Sequence, residues 1–296
     1  MKTITQTAAT AGQIKQINRF SSDAIEKVLV ELGLDNPGAQ RVIEHGDEFA
    51  EAIRNAALES LKDLSVTDKY KDEEVKSTYV YPKGHKVKGI TEQTNILRQL
   101  FPGVGFANEK LAEAELPQHA EGWFAIPKWQ TIAPTYNEAV LKVLEALKKS
   151  RKDGFFNYRD GKLGSEYRRQ HKRSVGFLEK LTAEQPDHDI LVVPAQFGLR
   201  HRGRSARRAR EVFQANEFGL GAFAVGIMIL THPERFTKYE DLCVDCSGDE
   251  YAPDADGDFS SAPYFRWRDG RLGFGTFWSY LAYDDFGTVS AFGSQQ

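Results

Sequence analysis

The chain has 296 residues, 41% of them apolar, which is enough for one large domain or two smaller ones with a substantial core. Thirty-nine Lys and Arg against 42 Asp and Glu give a formal charge of −3, so the whole molecule carries no field that would attract nucleic acid or an anionic membrane, and binding of either needs a local patch. The two cysteines, 243 and 246, cannot build a disulfide framework; the longest apolar run, 219–230, is shorter than the roughly 20 residues that span a bilayer; and 1–18 lack the apolar segment of a signal peptide, so a cytoplasmic protein with no membrane partner is expected.

Residues 1–20 are polar and predict a mobile tail. A helical module is expected over 21–68. Asp23 and Glu26 form a capping pair ahead of Ile25, Val28, Leu29 and Leu32, with Gly33 as the stop. Asn36 and Pro37 start a second helix, and Asp47 starts a third with Phe49, Ile53, Ala57, Leu58, Leu61 and Leu64 on one face. Three helices joined by tight turns invite a DNA-reading role. Glu44, Glu48, Glu51 and Glu59 argue against it, because a groove helix needs phosphate-facing cations, and a packing or protein-partner unit fits better.

The charge run 69–76 marks a boundary, after which 77–296 reads as a second domain. Its expected elements are an edge strand over 78–82 ending at Pro82, a helix over 90–100, a strand over 122–129, and a helix opened by Pro134 and stopped near Ser150. A turn at 155–161 and a helix over 166–181 follow. Residues 189–194 form a buried strand that feeds a glycine-containing loop and a helix over 206–213, and 219–230 form an apolar helix. The Asp269-Gly270 pair between two aromatic runs predicts a β-hairpin. Strands and helices alternate without a regular βαβ period, so the fold class is α+β, with an irregular α/β arrangement as the alternative.

Chemistry concentrates in two places. Positive charge is focused between 151 and 210: nine Lys and Arg against four Asp and Glu over 151–180, and six Arg with no acid over 200–210. A loop that leaves a strand and enters a helix presents backbone N–H groups where phosphate binds readily, and guanidinium forks add bidentate contacts. Arg200, Arg202, Arg204, Ser205, Arg207 and Arg208 are therefore the candidate ligand-binding residues. The competing reading pairs these arginines with the carboxylates of 240–258 in an internal network. Six carboxylates fall between 245 and 258, and Asp254, Asp256 and Asp258 alternate around Gly257 as oxygen donors for a hard divalent cation, Ca²⁺ or Mg²⁺. This is no EF-hand, since the glycine and the twelfth residue fall at the wrong places. Cys243 and Cys246 have the spacing of half a zinc site without a second half, and alternation makes them small buried residues.

The phrases formed by residues 196–205, 218–223, 231–235 and 249–257 resemble those of a set of uncharacterised bacterial proteins over roughly 189–292. That resemblance implies neither an activity nor a catalytic residue.

Three functional expectations follow. The first is a polyanion-binding protein, for nucleic acid foremost and a phosphorylated small molecule second. The second is a metal-dependent phosphohydrolase or nuclease in which His201 or His232 works with Asp249, Glu250 or Asp254. The third is a structural or protein-interaction protein whose arginines all pair within the fold, so whether the chain is an enzyme stays open at this point.

Overall fold

A computed structural model describes residues 11–64 and 69–293. The chain divides into two compact units, Met1–Leu61 and Lys62–Gln296. The first holds α1 (Ala11–Glu31), α2 (Asn36–Glu44) and α3, which runs Gly46–Leu64. Helix α2 starts as its residues dictate: Asp35 accepts a hydrogen bond from Gly38 N at 2.8 Å, and Pro37 occupies the first turn, where its missing N–H costs nothing. Over 11–20, part of the expected tail, α1 already runs through Ile14, Ile17 and Phe20, a three-residue apolar spacing that the surrounding polar residues obscure. Residues 1–10 and 65–68, where the tail and the end of the helical module were placed, lie outside the described residues.

In chain order the second unit contains α4 (Ile90–Leu100), β1 (Gly122–Pro127), α5 (Tyr136–Arg151), β2 (Phe155–Asn157), β3 (Arg168–Gln170), α6 (Lys172–Glu184), β4 (Ile190–Gln196), α7 (Ala206–Glu211), β5 (Glu217–Gly219), α8 (Ala222–Thr231), β6 (Cys243–Asp245), β7 (Asp249–Tyr251), β8 (Ser261–Arg268), β9 (Arg271–Trp278), β10 (Phe286–Thr288) and β11 (Ser290–Phe292). One sheet has the order β1-β4-β11-β5 and is antiparallel throughout. The other runs β10-β6-β8-β7-β3, with β9 against β8 and β2. Antiparallel pairs dominate, β2/β9 and β10/β6 being the parallel exceptions, so the fold is α+β.

Strand β4 is buried at every residue, as a continuous apolar run between two neighbours requires. Helix α8 is also buried along its whole length, and it packs against α5, α4 and β1. Each large aliphatic side chain so buried contributes about 1.5–3 kcal/mol of transfer free energy. Gly226 lets α5 approach, since a Cβ there would lie 2.5 Å from Val143. Helix α5 opens on Thr135, which exchanges hydrogen bonds with Glu138 in a capping box. The hairpin β8/β9 turns through Asp269 and Gly270, both with positive φ of 54° and 74°, which is the conformation an Asp-Gly pair accommodates best.

Two expected elements are overturned. Residues 78–82 form no strand: Pro82 has no N–H to give a ladder, and Tyr79 O accepts instead from Arg202 Nη1 at 2.6 Å. The helix expected over 166–181 starts only at Lys172, because 168–170 pair as β3 with β7. There Arg168 faces inward and Arg169 meets Glu250 across the strands at 2.7 Å. Cross-strand pairing outweighs a local preference that is weak to begin with.

Candidate functional site

The arginine segment begins where β4 ends. Gly198, at φ 118°, turns the chain into a short 3-10 turn at Leu199–His201, and Ser205 then caps α7 by accepting from Arg208 N at 3.0 Å. All six arginines of this stretch are engaged within the chain. Arg200 reaches Glu217 at 3.2 Å; Arg202 donates to Tyr79 O; Arg204 lies 3.5 Å from Glu74 and donates to His201 Nδ1 at 3.0 Å. Arg207 forms a forked pair with Glu73, and Arg208 meets Glu74 at 2.5 Å. Arg210 donates to the carbonyls of Ser247 and Asp249. Ser205 Oγ also donates to Glu73, at 2.6 Å.

The expected internal network therefore exists, with different acids. Apart from the carbonyl contacts of Arg210, its partners come from 73–74 and 217 rather than from 240–258. Its effect is mechanical: Glu73, Glu74 and Val75, whose N–H donates to Gly203 O at 2.7 Å, bind a strap that continues through 77–89. Gly203 is required there, since its φ is 76° and a Cβ would sit 2.1 Å from Val75 O.

The candidate catalytic residues do not converge. His201 is buried and donates from Nε2 to Glu217 at 2.7 Å, because its Nδ1 is occupied by Arg204. Burial alone would raise the Glu217 carboxyl, but hydrogen bonds from His201 and Ser290 and the charge of Arg200 bring it down to about 2. His232 accepts from Lys88 N at 2.9 Å through Nε2, and burial lowers it to about 4, so the ring is neutral. Asp249 is consumed by Arg168 at 3.0 Å, Tyr136 Oη at 2.9 Å and the Ala222 N–H of α8, and Glu250 by Arg169.

Asp254, Asp256 and Asp258 stand in a turn where Asp256 accepts from Asp258 N at 2.9 Å. Among the described residues no group of three or more His, Cys, Asp or Glu is placed to hold a metal ion, so the three donors form no such centre. Alternating side chains on an irregular loop do not share a face as they would on a strand. Cys243 and Cys246 are buried free thiols, and burial pushes both up.

Chemistry that the sequence did not reveal gathers instead under the strap. A cleft of about 710 Å³ opens between 81–90 and the start of β1 and includes Tyr81, His85, Lys86, Glu121 and Trp123 in its wall. Glu121 and Trp123 share a face because side chains alternate along an extended chain. Tyr81 Oη donates to Glu121 at 2.8 Å and accepts from Leu199 N, while Phe197 N donates to Glu121 at 2.9 Å. Burial raises the Glu121 carboxyl and holds the Tyr81 hydroxyl well above its ordinary value.

Below the cleft, the Arg235 guanidinium is fully buried and lies 4.3 Å from the centre of the Tyr81 ring, with Phe197 and Phe236 around it. It donates to Phe197 O, and its Nε and Nη1 have no hydrogen-bond partner among the described residues. His85 is similar: its side chain is 4% exposed, neither ring nitrogen is hydrogen-bonded among the described residues, and the Glu234 carboxylate is 3.8 Å away. Burial and the charge of Arg235 lower the His85 pKa. Gly89 begins α4 with no capping side chain, at the edge of the same cleft. The sequence signal for this site was available in Lys83, His85, Lys86 and Lys88 interleaved with Gly84 and Gly89 ahead of a helix start.

Comparison with protein-family models, with curated proteins and with solved structures finds no match to this chain. Among the described residues no helix is long and apolar enough to cross a membrane.

Proposed function

We propose that the chain binds a small phosphorylated molecule in the cleft under the strap. The observation that carries this reading is the buried His85 side chain in the wall of the cavity, neither of whose ring nitrogens has a hydrogen-bond partner among the described residues, beside a rim formed by the uncapped start of α4, with the Arg235 guanidinium buried behind Tyr81. Buried N–H groups are nearly always satisfied, and those that are not call for an acceptor from outside the chain. A helix start favours an anion, the charge of Arg235 lies 4.3 Å behind the Tyr81 ring, and Lys86 adds a charge that makes no ion pair among the described residues. A volume of about 710 Å³ is that of a small-molecule site, within the usual range of roughly 300–1,000 Å³.

Of the polyanion readings, nucleic acid is the less favoured. It needs guanidinium groups presented to phosphates outside the chain, whereas Arg200, Arg204, Arg207 and Arg208 already hold carboxylates. The test is a thermal melt in rising inorganic phosphate and a panel of phosphorylated metabolites. Ligand at about 100 times its dissociation constant adds about 2.7 kcal/mol, a rise of several degrees in a unit of this size. His85→Phe and Lys86→Ala are expected to abolish the rise, and a midpoint that no phosphorylated compound moves would overturn the reading.

A further inference from the structure

The cleft has a second chemical character at its other wall. Glu121 lies one residue before β1 and lines the cavity with an oxygen, Oε1, whose only donor among the described residues is the Tyr81 hydroxyl, itself shared with Oε2. The remaining donor on this carboxyl, Phe197 N, goes to Oε2. A carboxylate oxygen accepts more than one hydrogen bond, so Oε1 keeps capacity for a donor in the cleft. Trp123, half-buried on the same face of the chain, gives this wall a flat apolar surface, continued by Val87, Ile90 and Leu199.

An ammonium donor is disfavoured here. Arg235 lies beneath Tyr81 and Lys86 stands at the rim, while Lys88 already holds Glu234 at 2.9 Å, so an added ammonium would enter a region where cations outnumber carboxylates. A hydroxyl carries no such penalty. The wall thus suits a carbon skeleton with an apolar C–H face against Trp123 and a hydroxyl pointing at Glu121, while the opposite end suits an anion.

We propose that Glu121 reads a hydroxyl of the bound molecule and Trp123 its ring, so that the ligand class is the sugar phosphates. This rests on the phosphate reading above and narrows it. Discrimination of this kind is strong when a site is built to hydrogen-bond a hydroxyl, because an analogue without it leaves the buried acceptor unpaired.

The experiment is isothermal titration of the full chain with inorganic phosphate, ribose 5-phosphate, glucose 6-phosphate and unphosphorylated ribose and glucose. A sugar phosphate is expected to bind on the order of tenfold or more tighter than inorganic phosphate, with the free sugars weaker than either. Glu121→Gln, which keeps an acceptor for Phe197 N, is expected to remove that margin with inorganic phosphate bound no more weakly than by the unmodified chain, and Trp123→Leu to reduce it independently. Equal affinity for inorganic phosphate and sugar phosphates in the unmodified protein would overturn the role of Glu121 and leave the phosphate site standing. Free sugars binding as tightly as their phosphates, or no phosphorylated compound binding at all, would overturn both. The comparison among ligands uses the unmodified chain, so it holds even if a variant does not fold.

Discussion

Arg168 and Asp249 meet at 3.0 Å with neither side chain reaching solvent. The pair joins β3 to β7, and Asp249 simultaneously fixes the start of α8 through Ala222 N and orients Tyr136 through its hydroxyl. A carboxylate in the acidic stretch of the sequence is therefore a junction of sheet, helix and core.

Removing that junction leaves a buried guanidinium without its counter-charge. Asp249→Ala is expected to cost about 3–5 kcal/mol, read as a lowered urea midpoint at pH 7. Asp249→Asn, which keeps the acceptor for Ala222 N but not the charge, is expected to fall between the variant and the unmodified protein. A change under about 1 kcal/mol for Asp249→Ala would show that the pair contributes little beyond its own desolvation.

The strap is expected to loosen before the core does. Glu73→Ala deprives Ser205 Oγ and Arg207 of their shared acceptor and is predicted to cost about 2 kcal/mol. Its clearer sign is local: trypsin should cut at Lys71 and Lys76 faster than elsewhere in the second unit, at a temperature well below the melt. Cleavage at unchanged rates would mean that Glu74, with Arg204 and Arg208, holds the strap alone.

Acid sensitivity should report on His232. Its ring is neutral in the fold, with Nε2 accepting from Lys88 N, and burial lowers it from 6.5 to about 4. The unfolded chain takes up this proton at a higher pH than the folded chain, so its contribution to stability is complete above about 6.5 and is lost as pH falls toward about 4. The loss is on the order of 3 kcal/mol. Urea midpoints at pH 7.5, 5.5 and 4.5 measure it, and His232→Gln, whose side-chain oxygen can accept from Lys88 N, is expected to flatten that part of the profile. Parallel profiles for the two proteins would assign the acid loss to other groups.

What the sequence made legible was local chemistry. Asn36-Pro37, Pro134 and Asp269-Gly270 announce two helix starts and a hairpin through groups adjacent in the chain, and the apolar run at 190–194 announces a buried strand. The arginines illustrate the limit. Their abundance over 200–210 was visible, as was the option of internal pairing, but their partners at 73 and 74 lie well over a hundred residues away, and no spacing encodes that approach. Arg168 and Arg169 looked helical because their real neighbour, β7, lies 81 residues further along the chain. The cleft was missed for the same reason: Tyr81, Glu121 and Arg235 belong to three segments whose only common feature is where the strap brings them.

The order of the first sheet also bears on how the chain is made. Strand β11 sits between β4 and β5, so neither has its inner partner until Ser290 has been synthesised, and Gln196 and Ser290 are 94 residues apart. At about 5–20 residues per second, β4 waits on the order of 5–20 s for the strand that completes its hydrogen bonding. Throughout that interval an apolar strand has an open edge available to any other extended chain. The neighbour already made, β1, covers only the opposite edge of β4, so during synthesis the edge that receives β11 depends on shielding from outside the sheet, by the ribosome surface or a chaperone.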